Sequence, residues 1–427
     1  LSPNVSPSAR NGHAFRIYLL LDVGMSLLFG MIYAATEVFR IQVVGMSPLQ
    51  LVLIGTALEV SAFVFEVPTG VVADSRSRKL SILIGVTLLG LNFVVMGLFP
   101  LFVIQLLIQI VGGLGYTFVS GAQQAWITDE IGEAAATNAF MRASQLGTFG
   151  SLVGIVTTIV LGSINLAIPI VLGGALMMAL AVVLFFIMPE HGFKPIPKGE
   201  RSTFQHMAGT FREGVRVVRA SRTLLTIVLL AGIFGAWSES YDRMNTAHFI
   251  NTIGLPGTFQ PVVWFGLMSL ISIPIHLVVT EVARRRLKNS DQQGMVRTLM
   301  GLEAILIVSA VAFAFAGNLV VAFIATLIIG LVRNVSYPIR ASWLNQHVPS
   351  EVRATVFSME SQANAIGQVA GGPLFGAIGN ISTRAALSLA AVLLAPGQWL
   401  YWRTLREGGQ PTSAATDDTP ATSGGSQ

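Results

Sequence analysis

The sequence contains no cysteine and little charge. Without cysteine, the chain can form neither a disulfide nor a thiolate metal site. Its histidines (His13, His191, His206, His248, His276 and His347) are scattered, and no HExxH pair is present. No G-x-S-x-G elbow or Walker-type phosphate loop occurs either, so a hydrolase and a directly ATP-driven machine lack sequence support. Charged residues make up 11% of 427, against about a quarter in a typical soluble chain. The net charge of +5 would suggest a nucleic-acid partner in a soluble protein. Here its placement in loops matters more than its size, and no nucleic-acid partner is expected.

What fills the chain instead is apolar. Hydrophobic residues account for 53%, mean hydropathy is +0.69, and runs of about 20 apolar residues recur, enough to cross about 30 Å of hydrocarbon. Spans are expected near 16–40, 46–72, 80–98, 101–127, 137–163, 165–188, 223–250, 258–281, 295–316, 318–341, 353–378 and 382–404. The first run is too long for a cleavable signal and carries Asp22 and Glu37. The 43 glycines suit close helix packing in lipid. The expected fold class is therefore an all-α integral membrane protein with twelve transmembrane helices in two six-helix halves.

The expected organisation is a cytoplasmic segment 1–15, a first half 16–188, a central loop 189–222, a second half 223–404 and a disordered tail 405–427. Basic residues set the orientation. Arg10, Arg16, Arg76, Arg78, Lys79, Arg284, Arg285, Arg286, Lys288, Arg403 and Arg406 gather on one side, together with the basic central loop; Arg40 and Arg384 lie near the other. Both termini are thus expected in the cytoplasm, and the compact loops suit a bacterial inner membrane. In the central loop, Met207, Phe211, Val215 and Val218 repeat at helical spacing opposite Arg212, Arg216 and Arg219, which predicts an amphipathic helix.

The chain also repeats itself. A shift of 217 residues places Gly113 on Gly330, Trp126 on Trp343, Ser144-Gln145 on Ser361-Gln362, Gly150 on Gly367 and Gly154 on Gly371. Asp22 falls on Glu239 and Asp74 on Asp291. With six spans per half, such a repeat is parallel, related by an axis along the membrane normal.

After the second span comes Gly70-Val71-Val72-Ala73-Asp74-Ser75-Arg76-Ser77-Arg78-Lys79. This resembles the signature loop of the major facilitator superfamily, with Ser75 and Ser77 replacing the usual Arg and Gly. The resemblance implies a twelve-helix transporter and assigns a conformational latch to Gly70, Asp74 and Arg78, with Asp129 and Arg142 as relay partners. In the eleventh span, Gly367-Gln368-Val369-Ala370-Gly371-Gly372-Pro373-Leu374-Phe375-Gly376 is similar to the superfamily's antiporter motif, which there sits in the fifth span. As packing, the same small residues permit close helix contact.

Ionisable residues inside spans are costly and mark candidate function. Asp22, Ser26, Phe29, Tyr33 and Glu37 share one face of the first span. The seventh carries Trp237, Glu239, Tyr241, Asp242 and Arg243, with Glu239 and Arg243 four apart and able to neutralise each other. Arg333, Asn334 and Tyr337 mark the tenth span, while Glu59, Glu66, Glu303 and Glu360 are further acids. A carboxyl group in such surroundings can load and release a proton during a cycle. The pathway set is accordingly Asp22, Tyr33, Glu37, Glu239, Asp242, Arg243 and Arg333. The expected function is proton-coupled export of small amphipathic or drug-like molecules by alternating access, as in the drug-efflux branches the chain resembles. An uptake symporter for a nutrient or organic anion is the alternative, and a membrane sensor or enzyme a third. No cofactor is expected beyond a proton gradient, and the partners are a small-molecule substrate and the lipid bilayer around a monomer.

Overall fold

The structure, a computed structural model, describes residues 7–195, 212, 215–287, 292–348 and 353–406. Its first half comprises α1 (Pro7–Gln42), α2 (Pro48–Ser75), α3 (Arg78–Leu98), α4 (Phe102–Ile131), α5 (Glu133–Ile164) and α6 (Ala167–Ile187). The second comprises α7 (Arg222–His248), running into a π turn at Phe249–Ile253, then α8 (Pro261–Leu287), α9 (Gln292–Ala314), α10 (Leu319–His347), α11 (Arg353–Ile381), α12 (Thr383–Val392) and α13 (Ala395–Arg406). Among the described residues there is no strand. Most of the amphipathic helix expected at 207–219 lies outside the described residues, as does the tail from 407, although 215–220 is helical.

Among the described residues, eleven spans are long and apolar enough to cross a bilayer, taking α12 and α13 together. The other is α11, which has the length at 29 residues but is diluted by Glu360, Gln362, Asn364 and Gln368. Several helices run a few residues past the apolar pattern, and two differences have a local cause. Helix α1 begins at Pro7, ahead of the apolar onset at 16, because backbone bonding continues past the hydrocarbon edge and Pro is tolerated in a first turn. The last span, expected as one helix over 382–404, is broken after Val392. Pro396 has no N–H to give and its ring crowds the carbonyl four residues back, so the chain steps through a tight turn at Leu394 and restarts.

Five helix starts are sealed by side chains, which matters where water is scarce. Ser47 and Gln50 form a reciprocal capping box on α2, with Ser47 N–H donating to Gln50 Oε1 at 3.0 Å. Ser77, Ser221, Asn318 and Ser382 cap α3, α7, α10 and α12. Gly132 turns the chain between α4 and α5 at φ 82, a left-handed conformation that suits glycine.

The two halves are built alike. In the first, α1 packs most extensively on α5; in the second, α7 packs most extensively on α11. The repeated glycines lie in both contacts, though they meet α7 about two turns nearer its start than the matching positions on α1. Gly150 and Gly154 abut the backbone of α1 at Val23 and Leu27, and Gly367 and Gly371 abut α7 at Gly232 and Ala236. A side chain there would collide with the neighbouring helix, so small residues set the approach. Each half keeps its own core, one centred on Leu21, Ile32, Ile82 and Trp126, the other on Trp237, Phe313 and Ala325.

The halves meet at the end away from the chain termini. There the start of α2 touches the end of α11, with Gly376 against Leu49 and Val52 and Leu49 N–H donating to Asn380 Oδ1 at 3.1 Å. The end of α5 meets the start of α8, where Gln260 Nε2 donates to Ser163 O at 3.0 Å. Among the described residues, the printed contacts between the halves gather at this end and form a distal seal.

Candidate functional site: a cavity between the two halves

A cavity of about 600 Å³ lies between the halves below the distal seal. Phe29, Tyr33 and Arg40 reach it from α1, Glu59, Phe63 and Glu66 from α2, Asn92 and Phe93 from α3, and Gln109 and Tyr116 from α4. Arg243 of α7 and Ser361, Gln362 and Ala365 of α11 complete it. Tyr33 stacks on Phe29 at 5.4 Å and meets Phe93 edge-on at 5.8 Å, giving one wall an aromatic surface. On the other side of Phe29 and Tyr33 lies a second lobe faced with hydroxyl groups of Ser26, Ser144, Thr148, Ser151 and Ser269.

Charges at the roof of the cavity are already matched. Arg40 Nη1 donates to Glu37 Oε1 at 2.7 Å, and Arg243 Nε donates to Glu239 Oε1 at 3.0 Å. Arg243 also approaches Glu37 at 3.8 Å, tying α7 of one half to α1 of the other. Arg40 is 2% exposed and Glu239 3%, so these partners offset the cost of burying their charges. Gly55 of α2 makes the room: a side chain there would run into Glu239 and Arg243. A third arginine is held outside this group, as Arg333 of α10 grips both oxygens of Asp242 at 2.5 and 2.8 Å and lies over the rings of Phe234 and Trp237. Such a fork is the strong form of an ion pair.

The expected pathway residues therefore divide. Tyr33, Glu37, Glu239 and Arg243 come together at the α1–α7 junction, Asp242 and Arg333 form a separate α7–α10 pair, and Asp22 stands apart. Asp22 Oδ1 accepts from Gln123 Nε2 of α4 at 3.0 Å. Arg40, placed by the sequence near an outer end, is buried in the central cluster; its spacing of three from Glu37 was the available signal. Asn92, Gln109 and Tyr116 had none, because isolated polar residues in apolar runs do not say which way they face. Glu59 and Glu66 line the cavity, and neither side chain makes a hydrogen bond or an ion pair with another described residue.

The signature loop lies at the terminal end and stitches the first half together. Arg78 reaches Asp129 of α4 at 2.7 Å and Asp74 at 3.6 Å. Arg142 lies over the Phe15 ring, 5.9 Å from its centre, and the structure does not bring it to Asp129. Gly70 has open space around it, so no close approach fixes it as glycine. A partner that the motif did not name is Glu190, beyond α6, which accepts from Ser77 Oγ at 2.6 Å and Lys79 N–H at 2.9 Å. The serine that departs from the usual loop pattern thus both caps α3 and binds α6's exit. The glycines of the α11 motif are packing surfaces against α7 and α2.

Two similar helical halves, sealed at the distal end around buried charges with a cavity between them, have the build of a membrane carrier. The chain belongs to the Major Facilitator Superfamily, whose family model matches residues 15–359, and it is a multi-pass membrane transporter rather than an enzyme. It is 24% identical to the uncharacterized MFS-type transporter YxaM of Bacillus subtilis (strain 168) over 354 residues, covering 81% of this chain and 83% of that one. In fold it is similar to a crystal structure of the nucleoside transporter NupG, with a TM-score of 0.73 at 13% identity, covering 92% of this chain and 99% of that one. A bacterial homolog of the human lysosomal transporter Spinster, inward-facing and unoccupied, matches with a TM-score of 0.68 at 15% identity over 95% and 98% of the two chains. A POT family transporter in complex with a thioalcohol-conjugated peptide matches at 0.68 and 13% identity, over 93% and 96%.

Proposed function

We propose that this carrier exports small cationic amphipathic molecules in exchange for protons, working as a monomer in a bacterial inner membrane without a cofactor. The observation that supports this reading is the charge balance of the cavity. Arg40 and Arg243 are balanced by Glu37 and Glu239, which leaves Glu59 and Glu66 as surplus negative charge beside Phe29, Tyr33, Phe63, Phe93 and Tyr116. Carboxylates and ring faces both attract a desolvated cation. Arg333, the residue that would favour an anion, is occupied by Asp242. With both termini in the cytoplasm, as the loop charges suggest, the distal seal lies on the outer side and the cavity is poised to load a substrate for export. Glu59 and Glu66 then hold either protons or the cation, which couples the two fluxes in opposite directions. Asp74, Arg78 and Asp129, already joined within the first half, act in this reading as the latch that takes up the second half when the terminal end closes.

The test is reconstitution in liposomes with an imposed pH gradient, following a fluorescent cationic dye and the lumenal pH together. Dye flux that tracks the gradient, and that falls in both Glu59→Gln and Glu66→Gln, is the expected outcome. Gradient-driven dye flux unchanged in both variants would remove the assigned role of these acids. A second reading, uptake of an uncharged hydroxyl-bearing nutrient, is favoured by the hydroxyl-faced lobe around Ser26, Ser144, Thr148 and Ser151. Proton-driven nucleoside or sugar accumulation with no dye flux would select it.

A further inference from the structure

Helices α2 and α11 belong to different halves and touch near the distal seal, where Val52 meets Gly372 and Gly376. Below that contact the two helices leave a crevice of about 240 Å³. Val60 and Phe63 form one wall and Ile366, Val369 and Ala370 the other, with Glu59 between the crevice and the main cavity. Val60, Phe63 and Ile366 are 43%, 51% and 62% exposed, so the crevice faces the surroundings of the protein. Apolar surface facing lipid is ordinary on a membrane protein; a carboxylate at the floor of such a groove is not. The crevice and the cavity share Glu59, Phe63 and Ala365, so an apolar arm and an acidic, aromatic centre lie side by side across these three residues.

We propose that this crevice is a lateral portal and tail-binding subsite for cationic amphiphiles that enter from the membrane. The apolar tail lies between α2 and α11, and the quaternary or protonated nitrogen reaches Glu59. A tail fits the crevice because its lining is almost wholly apolar, and a cationic head fits because the acid at the junction makes no ion pair with another described residue. A headgroup arriving through hydrocarbon would meet this carboxylate without first crossing bulk water. The inference rests on the cation reading and adds to it both the shape of the substrate and its route.

The experiment compares radiolabelled dodecyltrimethylammonium, at trace concentration, with ethidium, a cation without a tail, in proteoliposomes under a pH gradient. Ala370→Trp and Val60→Trp fill opposite walls of the crevice, and neither residue lines the main cavity. Each is expected to slow dodecyltrimethylammonium about tenfold while leaving ethidium within about twofold, so that ethidium flux reports an intact carrier. Ile366→Ala widens the crevice and should move the preferred chain length upward within one protein, independent of expression. If both tryptophan variants leave the tailed cation unaffected relative to ethidium, and the chain-length preference does not move, the portal is overturned while the cation reading stands. If the unaltered protein moves neither cation, the cation reading falls and the portal falls with it.

Discussion

Replacing Gly55 with alanine should open the distal seal. A Cβ at this position would occupy the space of Glu239 Oε1 and Arg243 Nε, the atoms of the buried ion pair. These are the far ends of flexible side chains, so the helices need not separate, but the pair must rearrange. A hydrogen bond between charged groups is worth about 1.5–3 kcal/mol, which sets the expected cost. The cost falls only on the state in which α2 and α7 close on each other, because the distal ends part when the carrier turns outward. The population of that closed state should therefore drop about ten- to a hundredfold relative to the outward-open state. Helix propensity works the other way, since alanine favours helix over glycine by about 1 kcal/mol, so global unfolding is not the expected outcome. The absence of cysteine makes the readout direct. A single Thr56→Cys reporter lies within the seal beside Gly372, and a single Ser361→Cys reporter lies in the cavity. Membrane-impermeant maleimide added to the distal side should label the Thr56→Cys reporter faster in the Gly55→Ala background. Labelling of the Ser361→Cys reporter from the terminal side should slow. Unchanged labelling at both reporters would refute the idea that this ion pair and the glycine opposite it hold the seal.

Two further perturbations act on other parts of the molecule. Glu190→Ala removes the acceptor for Ser77 Oγ and Lys79 N–H and should cost about 2 kcal/mol, seen as a lower thermal unfolding midpoint in detergent, with Glu190→Gln recovering part of the loss. Asp242→Asn weakens the hold on Arg333 and leaves positive charge on the α7–α10 wall, so cationic dye binding should weaken about tenfold, with recovery in the Asp242→Asn, Arg333→Gln double variant.

Much of this architecture is legible in the sequence because lipid enforces it. The spans follow from apolar run length, and the glycine repeat at Gly150, Gly154, Gly367 and Gly371 points to equivalent helix contacts in the two halves. What periodicity does not carry is which helix a polar side chain faces. Arg40 and Arg384 look alike as basic residues near span ends, yet Arg40 is buried against Glu37. Asp242 and Arg243 are neighbours in sequence, but a helix turns them about 100° apart, and they serve different partners on different helices. Glu190 was invisible for another reason: it lies in a connection after α6, where no repeat or heptad constrains what it touches. The broken last span carried its own signal in Pro396, which an average over hydropathy conceals.

The repeat also exposes an asymmetry that can be tested. The shift of 217 that sets Asp22 on Glu239 sets Ser26 on Arg243 and Gln123 on Arg340. In the second half the acid therefore has an arginine one turn along and is paired with it at 3.0 Å. In the first half the same two places hold a serine and a glutamine, and Asp22 accepts a hydrogen bond from the neutral Gln123 amide. Glu239 is committed to a fixed ion pair, whereas Asp22 has an amide partner that tolerates either state of the carboxyl group. If Asp22 takes part in proton exchange, giving it a permanent counter-ion should stop that exchange without disturbing the fold. Gln123→Arg does this from the position that already reaches it. A charged partner adds about 1.5 kcal/mol of stabilisation to the carboxylate over a neutral one, enough to slow proton-coupled flux about tenfold. Substrate binding without a gradient should persist, since Gln123 does not line the main cavity. Proton flux equal to that of the unaltered protein would assign Asp22 a structural role, and would leave Glu59 and Glu66 as the acids that carry the exchange.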